Sequence, residues 1–327
     1  MPLDADHIVD RRRMRRQLTF WRIVAVLVTI AFVIGVGSLG AQRAGLAVTG
    51  SDGIARVTIS GTIGTNLARV RALEDLARSN YKAVIVHISS PGGTVSGAEQ
   101  LYDALTRLKA SKPLVVVVDT LAASGGYIAA MASDHIIAQQ SSLIGSIGVL
   151  FQYPDVTELM KTLGVKVEAI RSGALKAMPN PFEPTSPEAR AAIDAVVKDS
   201  YNWFRGLVAE RRKLSGAELE AVADGRIFTG RQALELKLVD ALGNEQTARE
   251  WLAKEKNIDL NTPVRDYRLQ RSRLGDLPLI HAAIMGVSEA LGIVSLARRL
   301  EETGTVQAIE RLNLDGLLAL WHPPASN

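Results

Sequence analysis

The 327-residue chain has no cysteine, which excludes disulfides, zinc–thiolate centres and a thiol nucleophile. Histidine is scarce, with His7, His87, His135, His281 and His322 the only five, so general-base chemistry has few imidazoles to draw on. Aromatics make up 5% and no fixed-period repeat is present, which argues against a solenoid or propeller. A large excess of one charge is missing too. The formal charge is only +4, and most of that lies at the N-terminus, where six arginines between Arg11 and Arg22 face Asp4, Asp6 and Asp10. The remaining 305 residues carry about +1, so the pI of 9.3 does not indicate a nucleic-acid partner.

Apolar residues are plentiful, at 47%, enough for a large core without staples. The longest uninterrupted apolar run, Ile23–Leu39, directly follows the arginines. Seventeen helical residues rise about 25 Å, and Phe20, Trp21 and a snorkelling Arg22 complete a bilayer core of about 30 Å. The expectation is a transmembrane signal anchor over residues 20–40, with a basic cytoplasmic tail at 1–19 and residues beyond the 41–52 linker on the far side. Ser38, Gly40 and Ala41 are small enough for a cleavable leader, the weaker alternative.

From residue 53 apolar runs alternate with helical patterns, the signature of an α/β fold. Strands are predicted at Ile54–Ile59, Ala83–Ile88, Leu114–Val118, His135–Ala138, Ser146–Leu150 and Lys166–Ile170. Helices are predicted at Leu67–Ser79, Gly97–Ala110, Gly126–Met131, Thr157–Leu163, Pro187–Lys213, Ala217–Ala223 and Gly230–Leu236. Ser186-Pro187 supplies an N-cap and first turn for the longest of them. Residues 53–255 read as one domain with a helical extension. Residues 256–327 read as a C-terminal helical region, with patterns at Leu277–Leu300 and Thr305–Leu320.

Two glycine turns follow buried strands: Ser89-Ser90-Pro91-Gly92-Gly93-Thr94 after Ala83–Ile88, and Ser124-Gly125-Gly126 after the valine run. Both can lie at one end of a sheet. A strand-to-helix turn would expose the Ser124 hydroxyl at a helix start, and the amides of Gly93 and Gly125 could receive an oxyanion. A plain N-cap is the alternative role for Ser124. His87 and His135 fall inside predicted strands, so a Ser-His-Asp triad has little support. A lysine can act as the base if burial strips its proton, and Lys176, flanked by Ala174, Leu175, Ala177 and Met178, has the apolar neighbours for it. Ser146 could orient its amine.

Four segments in order, Ser90–Gly93, Ala123–Tyr127, Gly145–Val149 and Ser172–Lys176, and a fifth at Gly225–Leu234, resemble the signal peptide peptidase A family in its short bacterial form. That resemblance covers about residues 50–255 and implies a core similar to the ClpP/crotonase fold. It implies Ser124 as nucleophile, Lys176 as general base, Ser146 as the hydroxyl holding the lysine, and Gly93 with Gly125 as the oxyanion hole, with no metal or cofactor. It also implies signal peptide remnants as substrates, a homo-oligomer with sites shared between subunits, and a bacterial inner membrane location with the catalytic domain outside the cytoplasm. Ser89 and Lys237 depart from the family, which commonly has asparagine and glycine there. The rival readings are a sibling membrane peptidase with other substrates and a crotonase-like scaffold without hydrolysis.

Overall fold

The computed structural model describes residues 53–269 and 318–320. The expected anchor at 20–40 and the helical pattern at Leu277–Leu300 lie outside the described residues. Among the described residues no helix is long and apolar enough to cross a membrane.

The chain lays down β1 (Ile54–Ser60), α1 (Leu67–Ala77), β2 (Ala83–Ser90), β3 (Gly92–Thr94), α2 (Val95–Ser111), β4 (Leu114–Ala123), α3 (Gly125–Ala130), β5 (His135–Ala138) and β6 (Leu143–Gly145). It continues with α4 (Thr157–Thr162), α5 (Pro187–Arg212), α6 (Gly216–Val222), β7 (Ile227–Thr229), α7 (Gly230–Glu235), β8 (Ala241–Leu242), α8 (Glu245–Lys256), β9 (Val264–Asp266) and β10 (Leu318–Leu320). Eight strands form a mixed sheet ordered β7-β6-β4-β2-β1-β9, with β5 beside β4 and β8 beside β5. All its ladders are parallel except β6–β7. A second sheet pairs β10 with β3, antiparallel.

Strands β2 and β4 read as near-continuous apolar runs because both sheet faces are covered. Side-chain alternation splits their residues. Val84, Val86, Ile88, Val116 and Val118 join the cluster that holds Leu73 of α1, Leu101 and Leu105 of α2, and Phe204 and Val208 of α5. Ile85, Val115 and Val117 turn the other way, onto Ala248 and Leu252 of α8. The long β4 serves two neighbours, Val115–Val118 pairing with β5 and Leu121–Ala123 with β6.

Several expectations need correction. No strand forms at Lys166–Ile170, whose residues are all exposed, because no sheet edge lies beside them to complete a ladder. The strand expected at Ser146–Leu150 ends at Gly145 instead. Left-handed backbone at Gly145 (φ 109°) and Ser146 (φ 50°) turns the chain out of the sheet there. The end of the Thr305–Leu320 helical pattern is β10, a strand drawn to the free edge of β3. Lys237, standing where the resembled family has glycine, has φ 61°, a left-handed conformation that glycine adopts freely and lysine only at a cost of about 1 kcal/mol.

Candidate active site

Strands β2 and β4 run side by side and stop level with each other, Ser90 opposite Ala122. The two glycine turns therefore emerge together at the carboxyl end of the sheet. Ser124 follows the last residue of β4 with φ 54° and ψ −118°, a strained conformation for a residue with a side chain. Its backbone is fully engaged: the amide donates to Gly145 O at 2.8 Å, and the carbonyl accepts from the amides of Tyr127 (2.9 Å) and Ile128 (3.0 Å). Its hydroxyl caps nothing, so the plain N-cap role does not apply. The turn holds its shape because Tyr127 is fully buried and its hydroxyl donates to Leu238 O at 2.7 Å. Burial pushes the Tyr127 phenol far above its ordinary range, keeping it a neutral donor.

The other turn is set by close backbone approach. A Cβ on Gly93 would stand 1.9 Å from Ile63 O, and one on Gly126 would stand 2.7 Å from Ser90 O, so neither position accepts a side chain without moving backbone. Ser90, fully buried, donates from its hydroxyl to Gly61 O (2.7 Å) and accepts from the Gly92 amide (3.1 Å). Strand β3 is thereby fixed between Ile63 and α3. The amide of Gly125, first in its helix, has no carbonyl one turn earlier to bond. Gly125 directly follows Ser124, while Gly93 lies on β3, which packs against α3 and carries Ala319 of β10 opposite Gly93 on its other edge.

Ser146 lies on the segment that follows β6, and the pairing of Ala123 with Gly145 places it next to Ser124 across the ladder. Its amide donates to Arg226 O at 2.7 Å. It lines a cavity of about 410 Å³ with Ile147, Val149, Val197 and Tyr201. The structure therefore brings Ser124, Ser146, Gly93 and Gly125 together.

Lys176 is placed differently. It occupies the exposed turn of residues 172–177, and its amine has no hydrogen bond or ion pair among the described residues. The apolar neighbours read from the sequence do not bury it among the described residues. The arm carrying it is ordered by Arg171 paired with Glu183 and by Tyr153 Oη bonded to Thr185 Oγ1 at 2.6 Å. Nine of the twelve exposed large apolar side chains among the described residues lie between Leu150 and Val196, including Ile170, Leu175 and Phe182, so this arm presents an apolar surface that no described residue covers.

The two described histidines, His87 and His135, are otherwise engaged. His87 Nδ1 meets Asp119 at 2.9 Å and Nε2 meets Glu245 at 2.9 Å, while Glu245 also takes the Arg56 guanidinium at 2.5 and 2.6 Å. That guanidinium, aided by His87, holds the Glu245 carboxyl below its usual range. His135 stacks on Trp251 with ring centres 4.8 Å apart, and burial lowers its pKa. Neither ring is bonded to Ser124. Among the described residues no three His, Asp or Glu side chains gather as a metal site. Sequence reasoning missed Ser90, Ile63 and Arg226 as supports of the site. The SPGG motif hints at the first, while nothing local marks the other two.

A serine at a strained strand-to-helix turn, hydroxyl unspent and backed by glycine amides, is the nucleophile arrangement of serine hydrolases. Residues 106–259 match the model of peptidase family S49. The Synechocystis protein named "Putative protease slr0021" is 38% identical over 208 residues, 63% of this chain and 75% of that one. The chloroplastic serine protease SPPA of Arabidopsis thaliana is 30% identical over 88% of this chain and 41% of its own length. A solved ClpP1 mutant from Listeria monocytogenes aligns at 15% identity over 58% of this chain and 91% of that one, with a TM-score of 0.39. The chain belongs to peptidase family S49, the signal peptide peptidase A family of proteases.

Proposed function

We propose that the protein is a membrane-anchored serine endopeptidase with a Ser/Lys dyad, that its core is of the ClpP/crotonase kind, and that its substrates are signal peptide remnants. Neutral Lys176 takes the Ser124 proton, the alkoxide attacks the peptide carbonyl, and the amides of Gly93 and Gly125 receive the oxyanion. Collapse expels the amine, which leaves with the proton from Lys176, and water then hydrolyses the acyl-enzyme by the same base. No metal or cofactor enters. Residues 20–40 hold the enzyme in the inner membrane, with the catalytic domain outside the cytoplasm and no nucleic-acid role.

The observation that carries this reading is the unbonded Ser124 hydroxyl in its strained turn beside Gly93, Gly125 and Ser146. The exposed position of Lys176 on an apolar arm supports a homo-oligomer in which one subunit's lysine enters its neighbour's cleft next to Ser146. Burial in that interface would supply the desolvation that a lysine base requires.

Two experiments test it. A fluorophosphonate should label the wild type and leave Ser124→Ala unlabelled; absence of label on the wild type points instead to a scaffold. Mixed Ser124→Ala and Lys176→Ala proteins, each inactive, should recover peptide hydrolysis on co-assembly. No recovery despite demonstrated mixed oligomers defeats the shared site.

A further inference from the structure

Residues 172–177, the turn that carries Lys176, are all exposed, so packing does not set where the amine stands. Bonds inside the turn, from the Lys176 amide to Gly173 O at 3.1 Å and from the Met178 amide to Leu175 O at 3.2 Å, give it a shape but no position. The position comes from its flanks. Arg171 before the turn and Glu183 after it meet through a two-bond fork, Nη1 donating to Oε2 at 2.9 Å and Nη2 to Oε1, a geometry open to a guanidinium and closed to an ammonium. Asn180 joins this pair to the turn. Its Nδ2 donates to Glu183 Oε1 at 3.2 Å and to Ala177 O at 3.3 Å, with Met178 Sδ at 3.1 Å, while its Oδ1 accepts from the Phe182 amide at 2.9 Å. Ala177 directly follows Lys176 and has φ 60°, a left-handed state that a residue with a side chain holds only when its surroundings support it. The far flank is tied down in turn, Pro181 O accepting from the Val156 amide at 3.0 Å.

We infer that Arg171, Asn180 and Glu183 are positioning residues for the base: the fork closes the loop from 171 to 183, and Asn180 passes that constraint to the Ala177 carbonyl, one residue from Lys176. The inference rests on the reading of Lys176 as general base. A base must come within hydrogen-bond reach of the proton it takes, and a misplacement of about 1 Å can cost about 100-fold in rate. Lysine has a long, flexible stem, so error in its backbone adds to the freedom of its side chain. A loop closed in advance has already lost the conformational freedom that a free one would lose on meeting the cleft. The Glu183 carboxyl is held below its ordinary range by Arg171 first and Asn180 second, so the fork stays charged at neutral pH.

The test measures kcat and KM of the full-length enzyme on the fluorogenic substrate acetyl-Leu-Leu-Ala-aminomethylcoumarin, with the oligomeric state of every variant followed by size-exclusion chromatography. Glu183→Ala and Asn180→Ala should each lower kcat about tenfold or more and leave KM within about twofold, because the base is misplaced while the peptide site is intact. Arg171→Ala and Glu183→Ala combined in one chain should lose no more than either alone, as members of one unit do. Glu158→Gln removes the charge of the Lys161–Glu158 pair on the same arm, 2.6 Å apart, and should keep the wild-type kcat. If Glu183→Ala dissociates, Asn180→Ala decides, since it keeps the Arg171–Glu183 pair. An unaltered kcat in an assembled variant, a loss carried by KM, or dissociation of Asn180→Ala overturns the inference. Wild-type hydrolysis by Lys176→Ala would instead bring down the base assignment, and the inference with it.

Discussion

Replacing Ser124 with glycine should stabilise the protein relative to replacing it with alanine, although both variants lose all activity. Ser124 has φ 54° and ψ −118°, and a side chain in such a region costs about 1–3 kcal/mol. Alanine retains that cost because it retains a Cβ. Glycine removes it, and gives back about 0.5–1 kcal/mol in unfolded-state entropy and about 0.8 kcal/mol for the lost buried carbon. The hydroxyl drops out of the comparison, since both variants lack it and it makes no hydrogen bond among the described residues. At the middle of these ranges the balance favours glycine by about 0.5 kcal/mol, a midpoint shift of about 0.2 M in urea or about 1–2 °C in Tm for a domain of this size. Urea denaturation followed by circular dichroism measures it, with fluorophosphonate labelling as the check on activity. A glycine variant equal to or less stable than the alanine variant refutes the reasoning. The strained turn would then not be a cost carried for keeping the nucleophile's hydroxyl unbonded.

Gly93→Ala must move the Ile63 backbone or β3 by more than about 1 Å, since its Cβ would stand 1.9 Å from Ile63 O. A displaced oxyanion donor should lower kcat/KM about 100-fold or more, at a stability cost of about 1–3 kcal/mol; activity within twofold of the wild type would show that the Gly93 amide has no catalytic part. Stability should fall on acidification in two steps. Burial holds His135 below its ordinary 6.5, so the unfolded chain takes up the proton first and stability is lost as pH falls below that value. Glu245, held below its ordinary 4.5 by Arg56, contributes stability that is lost at lower pH still. His135→Gln should remove the first step and Glu245→Gln the second in denaturation midpoints measured from pH 7 to 3.

The α/β class, the two glycine turns and the serine between strand and helix were legible in the sequence because each depends on local chemistry. A valine run such as Leu114–Val118 can be stable only with both faces covered, and glycine pairs mark where the backbone comes close to other atoms. Ser186-Pro187 fixed the start of α5 in the same way, the serine side chain accepting from the Ala189 amide at 3.1 Å. The alternation in Lys166-Val167-Glu168-Ala169-Ile170 misled, because a strand needs a neighbour as well as a pattern. Helix α8 was missed altogether: its inward stripe is short, and only the second face of the sheet gives Ala248 and Leu252 something to cover.

The sequence by itself determined which side chains carry the chemistry, since serine, lysine and glycine are chosen by what their atoms can do. Only the tertiary structure decided which of them meet. Parallel pairing of β2, β4 and β6 brings Gly93, Ser124 and Ser146 from distant positions to one sheet end, while the same folding leaves Lys176 exposed on an arm with no partner for its amine among the described residues. Register and edge availability are properties of the assembled sheet. For the same reason the strand at Leu318–Leu320 and its place against Gly93 could not be read from a pattern that also fits a helix.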